Sequence, residues 1–274
     1  MQYILFDAAE STSLYPFTAT RAVATITCGA MTMQERWNHY LRSESQILTN
    51  ATLQDLYKVN TFKSNIVYIN ASVFANASLA RAIQLLPENT VLKSTNQIII
   101  AAHIALDDRN LSSLYQLVEN CEVVRYEDEI KNLQHVWDIF SLNGYAILHD
   151  FEVIKVSKQA LESLPNGVQL VGDPNLLFIE EGATVLPCTI NVQHGPVYIA
   201  KGAEVMEGCL IRGPLAVLEQ GMLKMGAKVY GATTIGKGSK VGGEVNNVVF
   251  FNNSNKGHDG FLGNAVIGEW CNLG

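Results

Sequence analysis

The stretch Ile199-Ala200-Lys201-Gly202-Ala203-Glu204-Val205-Met206-Glu207-Gly208-Cys209-Leu210-Ile211-Arg212-Gly213-Pro214-Leu215-Ala216-Val217 decides the fold. An aliphatic residue recurs every sixth position: Ile199, Val205, Ile211, Val217, Leu223, Val229, Ile235 and Val241. Four residues after these come mostly small ones, Ala203, Cys209, Leu215, Gly221, Ala227, Thr233 and Ser239. A period of six is the mark of a parallel β-helix. Each hexad makes one flat face, its aliphatic residue points into the prism, and the small residue fits near the corner. Three hexads complete a coil, so residues 199–252 predict about three coils, each burying its apolar row on the next.

The pattern extends both ways with slips. Upstream, Ile179 and Val185, with Ala183 and Thr189 in the small position, join the register two residues out of step at Gly195-Pro196. Downstream, Asn246–Gly260 interrupts it with polar residues, and Phe261, Ile267 and Leu273 resume it, with Ala265 and Cys271 in the small position. Glycine follows the same division. Four of the 21 glycines lie in residues 1–178 and seventeen in 179–274, where they turn the corners between faces. The expected domains are residues 1–165 and 175–274.

The first half has a different grammar. Tyr3–Phe6, Gln46–Leu48, Asn65–Ile69, Gln97–Ile100 and Glu122–Val124 read as buried strands. Met33–Leu41, Leu53–Tyr57, Val73–Leu86 and Leu111–Asn120 carry apolar residues at helical spacing. This alternation predicts an α/β domain with a mostly parallel sheet. Ligands in such folds bind at the carboxyl ends of strands, which directs attention to the loop after Phe6.

Bulk composition narrows the function. Nineteen Lys+Arg against 26 Asp+Glu give a net charge of −7, so no nucleic-acid polymer is expected as a partner. No apolar run approaches the ~20 residues that span a bilayer, so no membrane partner is expected either. The start lacks a signal-peptide pattern. The five scattered cysteines, Cys28, Cys121, Cys188, Cys209 and Cys271, include no C-x-x-C pair. They read as buried free thiols of a cytoplasmic protein.

The loop reads Asp7-Ala8-Ala9-Glu10-Ser11-Thr12-Ser13-Leu14-Tyr15-Pro16-Phe17-Thr18-Ala19-Thr20-Arg21. Strand, small-residue loop and Leu-x-Pro-Phe-Thr resemble the opening of the sugar-1-phosphate nucleotidyltransferases. Those enzymes hold a nucleoside triphosphate with a glycine-rich loop, an arginine before the Leu and a Pro-Lys beyond. On this chain the glycines fall on Ala8, Ala9 and Ser11, the arginine on Ser13, and the Pro-Lys on Ala22-Val23; Leu14, Pro16 and Thr18 are kept. The resemblance makes Asp7 and Thr18 nucleotide-binding candidates and Arg21 the stand-in cation. Where the family ends a strand in Gly-Asp, whose carboxylate holds Mg²⁺, this chain has Asn70-Ala71-Ser72. A neutral amide is a poor ligand for a hard cation. Either Asp7, Asp138 and Asp150 supply the metal ligands or the site has lost its chemistry. Asn70 and Asn143 complete the substrate candidates.

In the second half, Asn255-Lys256-Gly257-His258-Asp259-Gly260-Phe261-Leu262-Gly263-Asn264-Ala265 resembles the acetyltransferase segment of the bifunctional GlmU family. There the pattern is Lys-x-x-His-x-x-Tyr-x-Gly-Asp-Ala; here the histidine falls on His258, the tyrosine on Phe261 and the aspartate on Asn264, with Lys256 near the lysine. An imidazole titrates near neutrality and can take a proton from a sugar amine or hydroxyl as it attacks a thioester. Gly238-Ser239-Lys240-Val241-Gly242-Gly243 matches in part without a histidine, and the arginines that the family places before its Pro-Gly corner are missing from Ala216–Glu219.

Together these make the chain similar to a GlmU-like sugar nucleotidyltransferase family. The resemblance implies nucleotidyl transfer from a nucleoside triphosphate to a sugar 1-phosphate with Mg²⁺. It also implies a left-handed β-helix that trimerises, and acetyl-CoA as acyl donor in the full-length protein. Acyl transfer alone, or a non-catalytic scaffold with a degenerate nucleotide site, are the alternatives. The chain stops at Leu273-Gly274, inside a hexad, with no cap over its apolar row. The expectation is therefore a C-terminally truncated chain without acyl transfer.

Overall fold

The computed structural model describes residues 1–57, 66–105 and 110–274. They form two compact units: residues 1–26 with 31–136, and residues 27–30 with 137–274.

The first unit is built on a six-stranded sheet. Its strands run Ser45–Leu48, Gln2–Phe6, Ile66–Asn70, Ile99–His103, Thr90–Ser94, Glu122–Tyr126 across the sheet. All are parallel except Ile99–His103, which is antiparallel to both neighbours. The mostly parallel sheet is as expected. Its extra member is Thr90–Ser94, whose Thr-Val-Leu-Lys-Ser sequence lacks an apolar run, and Asn65 lies outside the described residues. Ile4, Phe6, Tyr68, Val91 and Ala102 pack on Leu114 and Val118 of helix Leu111–Val118. Alternate residues Leu5, Val67 and Ile69 are buried on the other side. Helix Met33–Leu41 begins at a capping box: Thr32 Oγ1 accepts from the Glu35 N–H, and Thr32 N–H donates to the Glu35 carboxylate. The other expected helices are shorter, Ala51–Gln54, Ala77–Gln84 and Leu111–Val118.

The second unit contains a parallel β-helix of about six turns over residues 169–273. One face stacks Leu177–Ile179, Val197–Ile199, Leu215–Val217 and Thr233–Ile235, followed by the end of Glu244–Phe250. A second stacks Gln169–Val171, Thr189–Asn191, Leu210–Arg212 and Lys228–Tyr230, followed by the start of Glu244–Phe250. The third stacks Thr184–Val185, Glu204–Val205, Met222–Leu223, Lys240–Val241, Asn255–Lys256 and Asn272–Leu273. The hexad residues from Ile199 to Val241 are all buried.

The second slip is not a loop. Glu244–Phe250 is one continuous strand bent from one face to the next, and Val245, Val248 and Phe250 enter the core. The span from Val241 to Val245 takes four residues and that from Val245 to Phe250 five, so the six-residue count is broken there. Phe261, expected inside, is 63% exposed, and Leu262, paired with Val245, packs on the core instead. Ile267 also packs there, and Leu273 pairs with Lys256. Cys28, Cys188 and Cys209 are buried thiols as expected, whereas Cys121 is half-buried and Cys271 exposed. No helix among the described residues is long and apolar enough to cross a membrane.

Helix Asn143–Ser157 belongs to this second unit. Its buried polar residues explain why: they bond to segment 27–30 and to the coil at Ala232–Thr234.

Candidate functional site

The loop after Gln2–Phe6 emerges at the carboxyl end of a parallel strand and folds into a short helix, Glu10–Ser13, then a turn at Phe17–Ala19. None of Ala8, Ala9 and Ser11 takes a positive φ, and Ala9 sits at φ −56°. A loop that turns as a helix has no conformational need for glycine. Its scarcity of glycine is thus compatible with its shape.

Asp7 ties this loop together. Its Oδ1 accepts from the Val23 N–H at 2.9 Å and its Oδ2 from Thr49 Oγ1 at 2.6 Å. Burial pushes its carboxyl up to about 6, against the pull of those two hydrogen bonds. Thr18 Oγ1 donates to the Ser11 carbonyl at 2.6 Å, and the Ala22 N–H donates to Tyr57 Oη at 3.1 Å. Half-buried Arg21 is carried between these two ties. Asn70, in register with Phe6, is fully committed: Oδ1 accepts from the Ser72 N–H and hydroxyl, and Nδ2 donates to the Ile99 carbonyl.

Asp7, Thr18, Arg21 and Asn70 are thus brought to one end of the sheet. Asp138 and Asn143 belong to the second unit. Asn143 is fully buried, with Oδ1 accepting from the Gly29 N–H at 2.7 Å and Nδ2 donating to the Ala232 carbonyl at 2.9 Å. Asp150 accepts from the Ala30 N–H at 2.8 Å. Sequence reasoning missed Thr49, the partner of Asp7, and Tyr115. The Tyr115 phenol lies beside Ala9, Glu10 and Asp7, its ring edge-on to Phe6 at 6.2 Å, and burial followed by the Glu10 charge pushes it up to about 12. Nothing in local sequence marks a helix tyrosine that reaches back to the first loop.

Among the described residues no protein cage for Mg²⁺ is built here. Both Asp7 oxygens are occupied, Asn70 carries no charge and has its oxygen engaged, and no group of three acidic, His or Cys side chains is poised for a metal among the described residues.

The second candidate site is the corner after Asn255–Lys256. His258 and Asp259 are exposed there. Lys256 is buried: its Nζ donates to the Gly242 carbonyl at 2.9 Å and the His258 carbonyl at 3.0 Å. Desolvation lowers its pKa, which the nearby Asp259 charge counters. Asn264, at φ +47°, accepts through Oδ1 from Asn247 Nδ2 at 2.8 Å. The exposed Phe261 ring lies across Gly263, where an added Cβ would come within 2.6 Å of it.

Residues 3–159 match the sugar nucleotidyl transferase family. The chain belongs to that family. The chain is also similar to the bifunctional protein GlmU of Alkaliphilus metalliredigens, 24% identical over 196 residues, covering 62% of this chain and 42% of that protein. It is 27% identical to the bifunctional protein GlmU of Wigglesworthia glossinidia brevipalpis over 163 residues, 52% of this chain and 35% of that protein. The chain spans less than half the length of these curated relatives. A sugar nucleotidyl transferase domain followed by a parallel β-helix is a GlmU-like arrangement.

Proposed function

We propose that this sugar nucleotidyl transferase moves a nucleotidyl group from a nucleoside triphosphate to a sugar 1-phosphate. A phosphate oxygen of the sugar 1-phosphate forms a bond to the α-phosphorus, and the bond to the β-phosphate oxygen breaks, releasing pyrophosphate. The observation that carries this reading is the tied loop at the carboxyl end of the sheet, within the family match. Asp7 and Thr18 hold the loop, and Arg21 meets the phosphates as a bidentate donor. Asn70 fixes the neighbouring strand end. No step is assigned to Mg²⁺. Incubation with a panel of nucleoside triphosphates and sugar 1-phosphates, with nucleotide-sugar formation followed by mass spectrometry, tests the reading. Formation of one such product supports it, and none from the folded protein would sink it in favour of a non-catalytic scaffold.

The exposed His258 at a solenoid corner supports a second activity, acyl transfer from acetyl-CoA. There His258 takes the proton of an acceptor amine or hydroxyl as it attacks the thioester carbonyl, and the thiol leaves. Phe261 and Asn264, which the resemblance also singles out, follow His258 on the next strand, Phe261–Ile267. A homotrimer built on the β-helix and a cytoplasmic location complete the proposal.

A further inference from the structure

The third face of the β-helix carries an inward column of Val185, Val205, Leu223, Val241, Lys256 and Leu273, each paired with the next. One member is a lysine. Lys256 occupies the rung that Val241 occupies one coil earlier, and Asn255 sits over Lys240. By this register Ser239-Lys240-Val241-Gly242-Gly243 and Ser254-Asn255-Lys256-Gly257-His258 are the same corner in successive coils, with His258 in the place of Gly243.

An ammonium in an apolar column survives only if its protons are used. Here two are: one on Gly242 O and one on His258 O. Space for it comes from Gly243, at φ +71°, where an added Cβ would lie 2.9 Å from Lys256 Nζ and 2.8 Å from the His258 carbonyl oxygen. A second lysine supports the same turn, Lys224 Nζ donating to the Gly257 carbonyl at 3.3 Å. Consecutive carbonyls of the Gly257-His258 turn are thus held by two ammonium groups, that of Lys256 reaching them from the inward column.

We propose that Lys256 is a positioning residue: it works from inside the prism to fix the backbone that presents His258, and it does not touch the acyl acceptor. The sequence resemblance alone would make it a substrate contact. This inference rests on the acyl-transfer reading of His258, but its test does not.

The unmodified protein is first treated with formaldehyde and a mild reductant, and lysine methylation is mapped. Lys256 stays unmodified in the native protein while exposed Lys240 is methylated. Methylation of both to the same extent would overturn the proposal. Lys256→Met, which fills the apolar rung without donors, is then compared with wild type by amide hydrogen exchange. The amides of residues 257–260 exchange at least tenfold faster, while those of strand Met222–Leu223 two coils away keep their protection. Unchanged exchange at 257–260 overturns the positioning role. Global loss of protection in Lys256→Met hands the decision to Lys256→Gln, which keeps a shorter, uncharged N–H donor group and gives an intermediate rate at 257–260 if the proposal holds. If the protein transfers acyl groups, kcat falls in Lys256→Met with KM for the acceptor unchanged. A raised KM at constant kcat would instead make Lys256 a substrate contact. Absence of acyl transfer in wild type counts against the His258 reading and leaves the exchange result to judge Lys256.

Discussion

Asn143 Oδ1 accepts a hydrogen bond from the Gly29 N–H at 2.7 Å, across a sequence separation of 114 residues. The same amide group donates to the Ala232 carbonyl, and Thr234 Oγ1 lies 3.0 Å from its oxygen. One buried side chain therefore joins segment 27–30, helix Asn143–Ser157 and a β-helix coil. Its polarity serves the fold of the second unit.

Asn143→Ala leaves the Gly29 N–H and the Ala232 carbonyl buried without this partner. The expected cost is about 2–5 kcal/mol in urea denaturation of the second unit. A loss below about 0.5 kcal/mol would contradict this role. Gly29→Ala attacks the same node from its other side. At φ +83° its Cβ would come within 2.4 Å of an Asp150 carboxylate oxygen and 2.7 Å of Ala146 Cβ, so a loss above about 2 kcal/mol is expected.

Asp7 gives a pH dependence with a defined sign. Its folded pKa, about 6, is raised above the unfolded carboxyl value. The folded state therefore holds the proton more tightly, and Asp7's contribution is complete below pH ~4 and lost as pH rises through about 6. Asp7→Asn keeps an acceptor for Val23 and removes the titration. Between pH 4 and 6, wild type should lose on the order of 2–3 kcal/mol relative to Asp7→Asn, with the difference constant above pH ~7. Denaturation midpoints of both proteins across this range decide it, and parallel curves would show that Asp7 does not titrate there.

Register in the last coils can be read by paired truncations. Leu262→Ala removes a partly buried side chain packed on the core and should cost about 1–2 kcal/mol, whereas Phe261→Ala removes an exposed ring and should cost under 1 kcal/mol. The reverse order in thermal denaturation would restore Phe261 to the interior.

These residues also show what could be read from sequence. The hexads from Ile199 to Val241 follow the coil because each face there takes six residues, so period and geometry coincide. After Val241 the corner is shorter, the next inward residues are Val245 and Phe250, and a six-residue count back from Ile267 lands on Phe261, whereas the coil takes five residues on that span and places Leu262 there. Lys256 was hidden for a different reason: a lysine in a loop-like polar run gives no sign that its neighbours stack on Val241. The loop at Asp7–Arg21 was located by the strand before it, but the roles within it depend on partners far along the chain. Thr49 holds Asp7, Ser72 and Ile99 hold Asn70, and Gly29 and Ala232 hold Asn143. Local pattern carries the fold where contacts repeat at fixed spacing, and loses the site where they do not.

The most direct test of nucleotidyl transfer is pyrophosphate release by wild type and Arg21→Ala, with nucleoside triphosphate present and sugar 1-phosphate added or withheld, in the presence of a divalent cation. The account predicts release that depends on the sugar 1-phosphate in wild type, and a loss of at least about 100-fold (roughly 3 kcal/mol of transition-state stabilisation) in an Arg21→Ala protein of unchanged melting temperature. Wild-type release independent of sugar 1-phosphate, or equal rates in the two proteins, would contradict it.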